Sequence, residues 1–109
     1  MDITYLDDFY LAGAKFYQLP WVINELKLGT EMKLIPDPEN RYDENAVIVQ
    51  FNDHKLGFIP RANNTNLQKL LLANVNIIAR ISVLNPQEEQ WKQVKITLYI
   101  VSEKVMEKN

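Results

Sequence analysis

The chain contains no cysteine, so disulfides and thiolate metal ligands are both excluded. A single histidine, His54, leaves almost no raw material for a Ser-His-Asp relay or a multi-histidine metal site. Three glycines are too few for a glycine-rich phosphate loop. No stretch is apolar for long enough to cross a bilayer. The acidic start, Met1 to Gly13, lacks the basic region and apolar run of a secretory signal. These absences describe a cytoplasmic, non-catalytic protein without a cofactor or metal and without membrane contact.

A basic surplus is missing too. Twelve Lys and Arg stand against fourteen Asp and Glu, for a net charge of -2 and an isoelectric point near 5.3. Nucleic-acid domains usually gain affinity by neutralising phosphates and releasing counterions. Any such binding here rests on a local patch and on aromatic stacking, which argues against coating a long duplex and leaves recognition of a short end open.

What is present fits one mainly β, α+β domain over 1–109, with a core from about 8 to 101 and a charged tail over 102–109. At 47% apolar residues, the composition supports an ordinary core, and a chain of this length buries roughly two thirds of its unfolded surface. Phe9 to Phe16 reads as a strand bent at Gly13. Leu19 to Leu28 has helical spacing, with Pro20 in the first turn and Gly29 as the stop. Met32 and Leu34 alternate with Glu31 and Lys33 in a strand over Glu31 to Ile35. Ala46 to Phe51 and Lys55 to Ile59 form a hairpin about Asn52, Asp53 and His54, which makes the histidine a solvated turn residue. Ala62 to Ala73 is a helix burying Leu67, Leu70 and Leu71. Val75 to Leu84 and Gln93 to Val101 are the last strands, joined by a polar linker with Pro86 at its turn.

The richest segment runs from Ile35 to Arg61. A loop crowded with turn formers holds Asn40, Tyr42, Asp43 and Asn45 just ahead of the strongest strand. Polar and aromatic groups fixed at the end of a strand make a recognition surface. The spacing of Asp37, Glu39, Asp43 and Glu44 does not match a calcium loop. Asp and Asn capping their own backbone is the commoner explanation, with a weakly held divalent ion as the alternative.

The order Asp37-Pro38-x-Asn40-x-Tyr42-Asp43-x-Asn45-Ala46-Val47-x-Val49, followed by Leu56-Gly57-x-Ile59-Pro60-Arg61, resembles the HIRAN domain family. The resemblance extends from Tyr10-Leu11-Ala12-Gly13 through Asn66 to Leu72 and on to about Ile100. Such domains sit at the N-terminus of some SNF2-type fork-remodelling ATPases and occur as small free-standing bacterial proteins. The resemblance implies an OB-like barrel of five or six strands with two short flanking helices. It also implies a module that grips the 3′ end of single-stranded DNA in repair or replication, working with enzymes of those processes.

Carried over by motif, Tyr10 and Tyr42 are the pair that sandwiches a terminal base. Asp43 accepts from the 3′-hydroxyl, Asn40 touches backbone or sugar, and Arg61 pairs with a phosphate. Plainer readings stand beside these. Tyr42 covers the hairpin, Asp43 caps the next strand, Arg61 caps the second helix and Tyr10 belongs to the core; Trp21 and Trp91 are packing residues, Trp91 being the better candidate for an exposed contact. Phe9 and Phe58 stand where the family can carry basic and histidine side chains, so Lys15, Lys33, Lys55 and Lys69 are the candidates to compensate. The rival class is a protein-interaction domain that keeps the fold without the nucleic-acid site.

Overall fold

The structure, a computed structural model, describes residues 1–102. Six strands, β1 (Asp2–Tyr10), β2 (Glu31–Pro36), β3 (Val47–Phe51), β4 (His54–Phe58), β5 (Ile77–Leu84) and β6 (Val94–Ser102), form one antiparallel sheet in the order β1-β6-β5-β2-β3-β4. The two helices are α1 (Leu19–Val22), extended by a short 3-10 turn, and α2 (Arg61–Leu72). No helix among the described residues is long and apolar enough to cross a membrane.

β2 is the corner strand. Glu31 and Met32 pair with β5, and Lys33 to Pro36 pair with β3, so the sheet folds over at this point. Its inner face is filled by alternating positions: Val47 and Val49 on β3, Ala79 and Ile81 on β5, Val94, Ile96 and Leu98 on β6. Leu19, Val22 and Leu26 close one side of this core and Leu67 of α2 another. Burying a side chain such as Leu56 completely is worth about 1.5–3 kcal/mol.

The sheet does not close into the barrel that the resemblance implies. Its outer strands meet at one bridge, where Ala12 and Phe58 exchange two backbone hydrogen bonds of 2.9 Å. The cause is local: after Tyr10 the chain reaches β4 with a single residue. Gly13 (φ 70°) then turns it into a 3-10 turn over Ala14–Phe16, where a continuous strand was expected. The N-terminal strand conversely starts earlier than its sequence indicates, at Asp2, because Asp7 and Asp8 mask a β segment.

His54 opens β4 and is half-buried, its Nδ1 without a hydrogen-bond partner among the described residues, because the turn is the two residues Asn52 and Asp53. The second helix buries Asn64, Leu67 and Gln68, and Leu70 and Leu71 are half-buried. It ends in a left-handed Asn74 (φ 63°), with Asn74 and Val75 N–H groups returning to the Leu71 and Leu70 carbonyls. Ser102 belongs to β6; the rest of the expected charged tail, 103–109, lies outside the described residues.

Gly57 makes the bridge possible. A Cβ there would stand 2.6 Å from the Ala12 carbonyl oxygen, and its φ of 157° is a conformation that side chains avoid. Gly57→Ala is expected to lower unfolding free energy by at least the ~1–3 kcal/mol of backbone strain, with the carbonyl overlap adding to it, in urea denaturation.

At the sheet edge the Tyr5 hydroxyl donates to Asp8 Oδ2, and Lys95 Nζ lies 2.9 Å from Asp8 Oδ1. The hydrogen bond to Asp8 pushes the Tyr5 hydroxyl up to about 12. Bonds from Tyr5 and Lys95 hold Asp8 below its ordinary value, and Asp8 raises Lys95. The carboxylate's contribution to stability is present above its unfolded pKa and is lost as pH falls through the lowered folded value. Tyr5 and Lys95 contribute fully below their unfolded values and lose it as pH rises through the raised ones. Asp8→Asn should therefore flatten both the acid and alkaline limbs of a melting-temperature profile.

Candidate nucleic-acid interface

The loop between β2 and β3 is closed at its base by the Asp37 N–H donating to the Ala46 carbonyl at 2.9 Å. Its path is set by two side chains acting in place of backbone. Asn40 Oδ1 accepts from the Tyr42 and Asp43 N–H groups at 2.9 and 3.1 Å, and its Nδ2 donates to Asp37 at 3.1 Å. Asp43 Oδ1 accepts from the Asn45 N–H at 3.0 Å. This is the self-capping chemistry of Asx turns. It leaves Tyr42 as the projecting group, 79% exposed.

Helix α2 holds the loop from below. Asn64 Nδ2 donates to Asp43 Oδ2 at 2.8 Å. One turn later, Gln68 Nε2 donates to the Glu44 and Ala46 carbonyls at 2.8 and 3.1 Å. Both amides are buried, and they occupy i and i+4 of the inward face. Sequence reading followed the leucines and missed them. Arg61, at the start of α2, donates to the Tyr42 carbonyl at 3.0 Å and stands 3.7 Å from Asp43. Its side chain is largely exposed, so that ion pair adds little stability while the guanidinium retains free donors.

These residues form one side of a cleft of about 270 Å³. Ala46 and Ile59 are buried at its base. Ala12, Gly13, Phe16 and Tyr17 enter from the segment that the Ala12–Phe58 bridge brings alongside, and Phe58 from β4. Tyr17 and Phe58 meet edge to face, with ring centroids 5.5 Å apart, and Phe16 is 72% exposed.

Cations gather around these rings: Lys15 is 4.9 Å from the Phe16 centroid, Arg41 is 5.9 Å from that of Tyr42, and Lys55 is 4.4 and 4.3 Å from those of Tyr17 and Phe58. With Arg61, they place four cations about the cleft of a chain of net charge -2, beside the carboxylate of Asp43. Of the other lysines considered for this role, Lys33 lines a separate groove and Lys69 lies exposed on α2.

Asn40, Tyr42, Asp43 and Arg61 thus come together. Tyr10 does not join them: it pairs with Lys95 across the β1–β6 ladder, with that ammonium 5.7 Å from its ring, and it is absent from the cleft lining. The neighbouring Phe9 is core. Phe16 and Tyr17 are the aromatics that sequence reading missed. The available signal was a cation and two adjacent aromatics directly after Gly13-Ala14. Trp21 is 76% exposed, against the expectation of packing. Trp91 is exposed as well, its Nε1 donating to Glu89 at 2.8 Å. No group of three or more metal-ligating side chains occurs among the described residues.

Comparison with known proteins agrees with this architecture. A protein from Lactobacillus plantarum of known crystal structure superposes with a TM-score of 0.79 at 24% identity, covering 91% of this chain and 95% of that one. The crystal structure of the HIRAN domain of human HLTF superposes with a TM-score of 0.67 at 17% identity, covering 89% of this chain and 76% of that one. Among curated proteins no match was found. The family model described as the HIRAN domain matches residues 7–103. With nearly its whole length matched, the chain belongs to the HIRAN domain family.

Proposed function

We propose that this protein is a binding module for single-stranded DNA that recognises a 3′-hydroxyl end, acting beside repair or replication enzymes. The observation that carries the reading is a pair of exposed aromatic rings, Tyr42 and Phe16, supplied by two separate segments to one cleft that also holds Asp43. A cleft of this size admits a nucleotide and not a duplex. Exposed rings give a nucleobase a stacking surface whatever its identity, worth roughly 1–3 kcal/mol per base. On this reading Phe16 takes the place assigned to Tyr10 from the sequence. Asn40 shapes the loop, with its side-chain oxygen already engaged by two backbone N–H groups.

Asp43 supports end recognition. Each of its oxygens already accepts one protein hydrogen bond, and a carboxylate oxygen has capacity for a second. An ionised carboxylate accepts strongly from a hydroxyl and repels a terminal phosphate. Arg61 offers its remaining donors to the backbone phosphate. The acidic net charge favours the rival reading, a protein-interaction domain, and the same experiment separates the two.

Fluorescence anisotropy of a 5′-labelled oligonucleotide at low salt should show tighter binding to a 3′-hydroxyl than to a 3′-phosphate. Tyr42→Ala and Phe16→Ala should each weaken binding by about 1–3 kcal/mol, while Tyr10→Leu leaves it unchanged. Equal affinity for both ends would reduce the module to a nonspecific strand binder. No binding to either would put the protein-interaction reading first.

A further inference from the structure

We infer that Lys55, beside the cleft and not in its lining, is a second phosphodiester-binding residue alongside Arg61, its ammonium seated on the rings of Tyr17 and Phe58. This rests on the strand-binding reading and adds to it a specific electrostatic contact. In a regular strand, positions three apart point to opposite faces, so Lys55 and Phe58 should diverge. They do not, because β4 carries a bulge. Val49 pairs with Gly57 and Gln50 with Lys55, leaving Leu56 as an extra residue on β4. A bulge of this kind reverses the parity of the strand and re-aims a side chain. The ammonium accordingly stands 4.3 Å from the Phe58 centroid and 4.4 Å from that of Tyr17.

The backbone at this point is fixed as well. Gln18 N–H donates to the Lys55 carbonyl at 2.9 Å, and Lys55 N–H donates to Gln18 Oε1 at 3.1 Å. Three features mark the ammonium as a ligand group. Lys55 is a half-buried residue, unlike a lysine at a loop tip, and its stem is held against the protein. No carboxylate forms an ion pair with it among the described residues. The two rings that hold it both line the cleft. Aromatic faces attract a cation without neutralising it, which keeps the charge available to an anion. The anion that fits beside exposed stacking rings is the phosphodiester of the strand whose bases stack there.

The test compares the parent with Lys55→Met, which keeps the stem packing on Tyr17 and Phe58 and removes the charge, and with Lys55→Arg, which restores it. Binding of a 3′-hydroxyl oligonucleotide is measured by anisotropy across a salt series. Each phosphate contact contributes about 0.7 to the slope of log affinity against log salt for a single strand. Lys55→Met should lower the slope by that amount and weaken low-salt binding several-fold. Lys55→Arg should recover both, and Lys33→Met, in the separate groove, should change neither.

Oligonucleotides with a neutral methylphosphonate at each of the last three linkages in turn identify the contact. At one linkage the substitution should weaken the parent and have no further effect on Lys55→Met. Unchanged affinity and slope in Lys55→Met, with a parent that binds, would overturn the Lys55 assignment alone. A parent that ignores the oligonucleotide would overturn the strand-binding reading and this inference with it. Should Lys55→Met fail to fold, Lys55→Gln carries the same comparison, and the methylphosphonate series on the parent shows independently whether any linkage carries such a contact.

Discussion

The approach of two backbones at Ala12 and Phe58 governs the rest of the molecule. Two hydrogen bonds of 2.9 Å join the end of the first strand's path to the last strand of the hairpin. They form only because position 57 has no side chain to meet the Ala12 carbonyl. That contact, with the paired hydrogen bonds between Gln18 and Lys55 beyond it, fixes the segment carrying Phe16 and Tyr17 against β4 and so beside the loop carrying Tyr42. A sheet that stays open everywhere else is held together at the point where the cleft is built.

Much of this fold was legible in the chain. The run of strand formers Val47, Ile48 and Val49, the turn formers at Asn52 and Asp53, and the leucine spacing of α2 each placed an element within a residue or two of its observed bounds. The loop residues Asn40, Tyr42, Asp43 and Arg61 were legible as a group because turn chemistry and strand position are local facts. Phe16 was not, since a strand continued through Gly13 and a chain turning there have the same composition. Only the long-range bridge decides between them. Asn64 and Gln68 stayed hidden for a related reason: polar residues on a helix read as solvent-facing until their partners, 21 to 24 residues away in sequence, are in view.

Charge follows the same logic. A net charge of -2 describes the whole surface, whereas binding responds to what lies within a Debye length of the ligand. Lys15, Arg41, Lys55 and Arg61 lie around one set of rings, interleaved with the carboxylates of the same loop, Asp43 among them, so the surroundings of the cleft carry both signs and differ from the average that the net charge describes.

The paired amides of α2 carry a consequence for how the site behaves in solution. Asn64 and Gln68 tie the loop between β2 and β3 to the buried face of the helix. Opening of the loop exposes those buried amides, and loosening of the helix removes the donors that hold the loop, so each makes the other less costly. The helix and the loop are thus one structural unit, and the stability of the loop is set in part by residues that never reach the cleft surface.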